Sequence, residues 1–167
     1  MKHLKLWLAF ASIAFLVAIT AYLFGFSGET PRATPVVTNP DISIYDLELD
    51  NLLGKRESLS QWRGQVLVVN YWATWCHPCR EEMPGFSRLQ EKFRDKNVQF
   101  VGISIDTAAK IIEFQKTIPV AYPLLIGDMN AMESSAKFGN TRLALPFTAV
   151  FDKQGKLFST KLGRLAE

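Results

Sequence analysis

The chain has 167 residues, 48% hydrophobic and 21% charged, with a formal net charge of +3. That is the balance of a globular chain, long enough for one domain with a real core plus an appendage. The mild charge excludes an electrostatic nucleic-acid binder, since no basic run or RNA-binding signature accompanies it.

The N-terminal tip, "MKHLK" (1–5), is basic, and Leu6–Phe26 follows without a single charge. A helix of that length, at about 1.5 Å per residue, reaches roughly 30 Å, the thickness of a bilayer's hydrocarbon core. A cleavable signal peptide carries a shorter apolar region, about 7–15 residues, and ends in a small-x-small site. "GFSGE" is a poor version of that site, so residues 6–26 are expected to be an uncleaved transmembrane anchor. Lys2 and Lys5 flank its start while Glu29 and Arg32 cancel beyond its end, which keeps the tip cytoplasmic and exports the rest. The expectation is a single-pass protein of the inner (cytoplasmic) membrane with its working domain on the extracytoplasmic side. "SGETPRATPVVTNP" (27–40) lacks any periodicity and reads as the tether, leaving 41–167 as the domain.

From Asp41 the pattern changes. "DISIYDLEL" (41–49) alternates apolar and polar residues as a half-buried strand does. "DNLLGKRESL" reads as a turn and a second short strand, and "SLSQWRG" as one helical turn stopped by Gly64. "QVLVVNYWA" (65–73) is a continuous apolar run, the mark of a central strand covered on both faces. A helix is predicted from the cysteine pair to about Phe93, because Met83, Phe86, Leu89 or Gln90, and Phe93 recur at steps of three and four. "NVQFVGISI" (97–105) is the next buried strand. In "DTAAKIIEFQK" (106–116), Asp106 is the expected helix cap, and Ala108, Ile111, Ile112 and Gln115 form the stripe. "VAYPLLIGD" reads as a short strand and "NAMESSAKFG" as a helix closed by Gly139. "PFTAVFD", the turn "DKQG" and "KLFSTKL" complete a β-hairpin. Strands alternating with helices, then a hairpin, give an α/β fold with a mixed sheet.

"NYWATWCHPCREEMP" (70–84) holds the only two cysteines, Cys76 and Cys79, with His77 between them. Tetrahedral zinc needs four ligands, and no second cluster exists; the other histidine, His3, lies across the expected span. A purely structural disulfide stabilises by closing a long loop, and this one would close a very short one. A redox pair explains the arrangement. Sulfur exchange requires a thiolate, and a cysteine at a helix N-terminus has its pKa lowered by the unpaired N–H groups there. The second cysteine, one turn on, can reach back and resolve a mixed disulfide. Cys76 is therefore the expected nucleophile and Cys79 the resolving thiol.

Neighbouring residues have readings of their own. Glu82 lies three residues after Cys79 on the same helix face and can take the Cys79 proton, provided burial raises its pKa. The competing reading is a charge stabilising the first helical turn, which equally suits Glu81. His77 is expected to tune the pair rather than transfer protons. Pro78 fits where a helix leaves an N–H unpaired. Trp72 and Trp75 are either an aromatic substrate platform or packing, with Trp75 shielding the pair from water. Trp62 reads as structural.

"WATWCHPC" resembles the W-A-x-W-C-x-x-C of the thioredoxin superfamily, in the branch of membrane-anchored, exported TlpA/ResA-type thiol–disulfide oxidoreductases. The likeness runs from about Asp41 to the end. It implies a thioredoxin fold, a mixed central sheet flanked by helices, with an N-terminal strand extension and a helix–strand insertion. It places Pro84 at the kink of the active-site helix, Asn70 where cytoplasmic relatives carry a buried aspartate, Glu82 as the active-site glutamate, and Pro146 as the cis-proline. A cis-Pro146 would leave the backbone of Leu145 free to pair with an extended substrate segment, and bulky Leu145 suits an apolar partner or simple packing. The resemblance implies protein substrates with disulfides or thiols, such as those of cytochrome c maturation or copper sites. It also implies a membrane electron donor, and no cofactor beyond the Cys76–Cys79 disulfide. Relatives usually end with a helix on the sheet; here the chain stops at "STKLGRLAE", where that helix would begin, so either it is very short or the sequence ends early. The alternatives are a dithiol oxidase, a Cu(I)-binding thiol chaperone of the same compartment, and a peroxidase, whose peroxidatic cysteine has a different local setting.

Overall fold

The computed structural model describes residues 43–165. The expectations for the tip, the anchor at 6–26 and the tether at 27–40 lie outside the described residues. Among the described residues no helix is long and apolar enough to cross a membrane.

In chain order the elements are β1 (Glu48–Asn51), β2 (Arg56–Ser58), β3 (Val66–Trp72), α1 (His77–Phe93), β4 (Val98–Ser104), α2 (Ala108–Thr117), β5 (Leu124–Ile126), α3 (Met129–Lys137), β6 (Phe147–Phe151) and β7 (Leu157–Leu162). They form one sheet of order β2-β1-β5-β4-β3-β6-β7. β3 pairs in parallel with β4 and antiparallel with β6, so the sheet is mixed as the sequence implies. This is the thioredoxin-like α/β arrangement.

Strand β3 divides the core in two because successive side chains point to opposite faces. Leu67, Val69 and Tyr71 join one cluster with Ala131 and Met132 of α3. Val68 and Trp72 join the other with Met83 and Phe86 of α1, Ile111 and Phe114 of α2, and both cysteines. Asn70, buried on the face of Val68 and Trp72, is thereby aimed beneath α1. Each fully buried aliphatic or phenyl side chain of these clusters contributes roughly 1.5–3 kcal/mol.

Three local expectations need correction. Residues 44–46 of the first expected strand form a 3-10 turn, because the Ser43 hydroxyl accepts from Tyr45 N–H while Asp46 closes a capping box. The ladder starts only at Glu48. The buried stripe of α2 is Ile111 and Phe114; Ile112 is exposed, since the helix turns one position further than the apolar spacing suggests. Asp106 does not cap α2; Thr107 is its N-cap and no side chain closes it. The cap of α3 is Asp128, whose carboxylate accepts from Ala131 N–H at 3.0 Å.

Candidate active site

Cys76 stands at the N-cap of α1, with Pro78 in the first turn, where a missing N–H costs nothing. It is bonded to Cys79, their Cα atoms 5.3 Å apart, so the oxidised pair is the state described. Cys76 is 5% exposed and Cys79 0%, so Cys76 is the less enclosed of two buried cysteines. The N–H of Cys76 donates to Ala73 O at 3.1 Å, folding residues 73–76 into a turn between β3 and α1.

Glu82 sits one turn below Cys79 and is only 3% exposed. Its Oε1 accepts from Asn70 Nδ2 at 2.8 Å and its Oε2 from the N–H of Leu165 at 2.9 Å. Asn70 also donates to Thr148 Oγ1 at 3.0 Å, tying β3, β6 and α1 together beneath the disulfide. Burial pushes the Glu82 carboxyl above the usual range, against the opposing pull of these two donors and of the Arg164 charge. The condition set for a proton-accepting glutamate is therefore present. Glu81, by contrast, is half-exposed, 3.2 Å from His77 Nε2 and 3.5 Å from Arg164 Nε. His77 itself points into solvent.

Three buried polar atoms nearby, Asn70 Oδ1, Trp72 Nε1 and Tyr122 Oη, take no hydrogen-bond partner among the described residues. Burial, and then the charge of Glu82, push the Tyr122 hydroxyl far above its ordinary value. Trp72 is packing, its ring 5.0 Å from that of Phe114. Trp75 is 65% exposed and lines a groove together with Cys76.

That groove, about 460 Å³, opens beside Cys76 and is lined by Trp75, Pro78, Met129, Met132, Leu143 and Leu145, among others. Met129 and Leu143 were not foreseen, because they belong to different segments that only the fold brings to the sulfur. Both are exposed apolar residues, as Trp75 is. Leu143 reaches the groove from a left-handed backbone, φ 49°, held by the buried Asn140, whose Oδ1 accepts from Ala144 N–H at 3.0 Å and whose Nδ2 donates to Ala144 O at 3.1 Å. The Leu145–Pro146 bond is cis, as the resemblance implied. Among the described residues no cluster of three or more His, Cys, Asp or Glu side chains has the arrangement of a metal site.

A disulfide at a helix start, a buried glutamate in the same helix and a cis bond after the groove residue Leu145 make up the site. Residues 41–159 match the AhpC/TSA family. The chain belongs to that family. Its thioredoxin-like relatives include "Thioredoxin-like protein YneN" of Bacillus subtilis, 28% identical over 168 residues, 98% of this chain and 94% of that one. "Thiol-disulfide oxidoreductase ResA" of Bacillus cereus is 28% identical over 148 residues, covering 88% of this chain and 80% of its own. Among solved structures, a thioredoxin-related protein from Neisseria meningitidis serogroup B is 38% identical with a TM-score of 0.62, over 68% of this chain and 85% of that one. This member of the family is a thiol–disulfide oxidoreductase, and its chemistry is that of the Cys76–Cys79 pair.

Proposed function

We propose that the protein is a membrane-anchored, extracytoplasmic reductase of disulfides in partner proteins, those of cytochrome c maturation or of copper-site thiols. One observation carries the reading: Cys76 lining an open groove and Cys79 fully buried at the start of α1, with Glu82 enclosed behind them. The Cys76 thiolate attacks a partner disulfide, forming a Cys76–partner bond and releasing one partner thiolate. Cys79 gives its proton to Glu82 and attacks the Cys76 sulfur; the Cys76–Cys79 bond forms, and the second partner thiolate leaves and is protonated. Two electrons pass from the pair to the partner. A dithiol donor in the membrane returns them, since an exported protein has no access to the cytoplasmic glutathione pool.

The groove beside Cys76 supplies the docking surface. Its apolar lining suits a partner segment with a bulky apolar residue near its cysteine, and pairing of that segment with the main chain of Leu145, which lines the groove, completes the reading. Anchoring and export rest on the uncharged run Leu6–Phe26. His77 tunes the pair from solvent.

The direction is tested by equilibrating the purified protein with glutathione buffers. A reducing couple is expected; a potential near about −120 mV, that of a strong oxidant, reverses the proposal to an oxidase. A Cys79→Ala variant stops the cycle at the mixed disulfide, and its captured partners name the substrate.

A further inference from the structure

Asp106 occupies the position of a helix cap and does something else. Its side chain is 4% exposed, at the end of β4, yet it leaves the N-terminus of α2 without a side-chain cap. Instead Oδ2 accepts from both the N–H of Thr74, at 2.7 Å, and the Thr74 hydroxyl, at 3.0 Å. The other oxygen, Oδ1, lies 3.6 Å from Lys110 Nζ. Thr74 is the second residue of the turn that Cys76 N–H closes onto Ala73 O. A second tie, Ile105 N–H to Trp72 O at 3.3 Å, holds the same two strand ends together. A buried carboxylate is tolerated only where donors satisfy it, and here the principal donors are both atoms of one turn residue.

We propose that Asp106 is the positioning residue of the active-site turn. Through Thr74 it fixes where the Cys76 sulfur stands against the first-turn N–H groups of α1, and thereby sets the ionisation and the disulfide equilibrium of the pair. This rests on Cys76 being the nucleophile. The ionisable groups near the turn include His77, Arg80, Glu81 and Glu82 on α1, Asp106 just beyond β4, Lys110 on α2, and Arg164 against Glu81. Charge changes at Asp106 would disturb the sulfur directly, so the decisive substitution is at Thr74, which leaves every one of these charges in place.

Thr74→Val removes the hydroxyl bond and keeps the shape; Thr74→Ser keeps the bond. The expected result is a higher pH midpoint for Cys76 alkylation in reduced Thr74→Val, and a disulfide harder to reduce with glutathione by about threefold or more, since only the part of the lost hydrogen bond that differs between dithiol and disulfide is felt. Thr74→Ser should match the wild type on both. In an Asp106→Ala background Thr74→Val should add little. The proposal is overturned if Thr74→Val lowers thermal stability but moves neither the midpoint nor the equilibrium, or if its effect persists undiminished without Asp106. If Asp106→Ala does not fold, the contrast between valine and serine at 74 decides alone. Insulin reduction by the wild type is run beside these. Its absence would remove the redox reading itself, a different failure from silent Thr74 variants.

Discussion

At the scale of single residues, Glu82 and Tyr122 make opposite demands on the buried layer beneath the disulfide. Glu82 binds its proton more tightly folded than unfolded, because burial raises its pKa. Its contribution to stability is therefore complete below the ordinary carboxylate range and is lost as pH rises through the raised folded value. Glu82→Gln cannot ionise, so the urea midpoint of the wild type relative to this variant should fall with rising pH across that window. A flat or rising difference would show that folding does not raise the pKa of this carboxyl. The same substitution should slow resolution of the Cys76 mixed disulfide about a hundredfold in stopped-flow, the low end for a lost proton acceptor. Tyr122 is simpler. Its hydroxyl is buried without a partner among the described residues, and leaving such a group unpaired costs roughly 1–3 kcal/mol. Tyr122→Phe should hold or raise the melting temperature; a drop of several degrees means the hydroxyl is satisfied after all.

At the scale of elements, the loop between α3 and β6 sets stability against binding. Leu143 takes a left-handed conformation that costs a residue with a Cβ about 1–2 kcal/mol, and it presents an exposed apolar side chain to the groove. Leu143→Gly relieves the backbone and empties that wall. Calorimetry should show an unchanged or higher melting temperature, while KM for a disulfide peptide with an apolar flank rises severalfold more than kcat falls. The hairpin turn between β6 and β7 offers the converse case. Gly155 has φ +81°, and a Cβ there would lie 2.3 Å from the Tyr45 ring. Gly155→Ala should cost about 1–3 kcal/mol in denaturant unfolding, with the redox pair unaffected. The two loops differ in how far they could be read in advance. "DKQG" announces its turn, because Asp and Gly are the residues such a turn needs. Leu143 itself does not announce a glycine's conformation; it is set by the buried Asn140 three residues earlier, through that residue's bonds to Ala144.

At the scale of the whole molecule, the legible part of the site is the part that is contiguous. Cys76, Cys79 and Glu82 share one helix, so spacing alone relates them. β3 and β4 declare themselves as buried strands by unbroken apolar runs. Tyr122, Met129 and Leu165 reach the site only through the fold, and residue patterns of short period are blind to such meetings. The longest is the reach of Leu165, 83 residues from Glu82 in sequence, whose N–H caps the carboxylate. Leu165→Pro deletes that donor and should push the Glu82 pKa further up, seen as a shift to higher pH in the profile of mixed-disulfide resolution. An unshifted profile would mean the tail does not govern the proton. One last consequence follows from the complete burial of Cys79. Visitors meet a single door. No partner can be hooked on backwards, and peroxide or other small oxidants strike first at Cys76, where a sulfenic acid condenses at once with the thiol behind it. The hidden sulfur thus guards its neighbour from irreversible damage in the act of serving it.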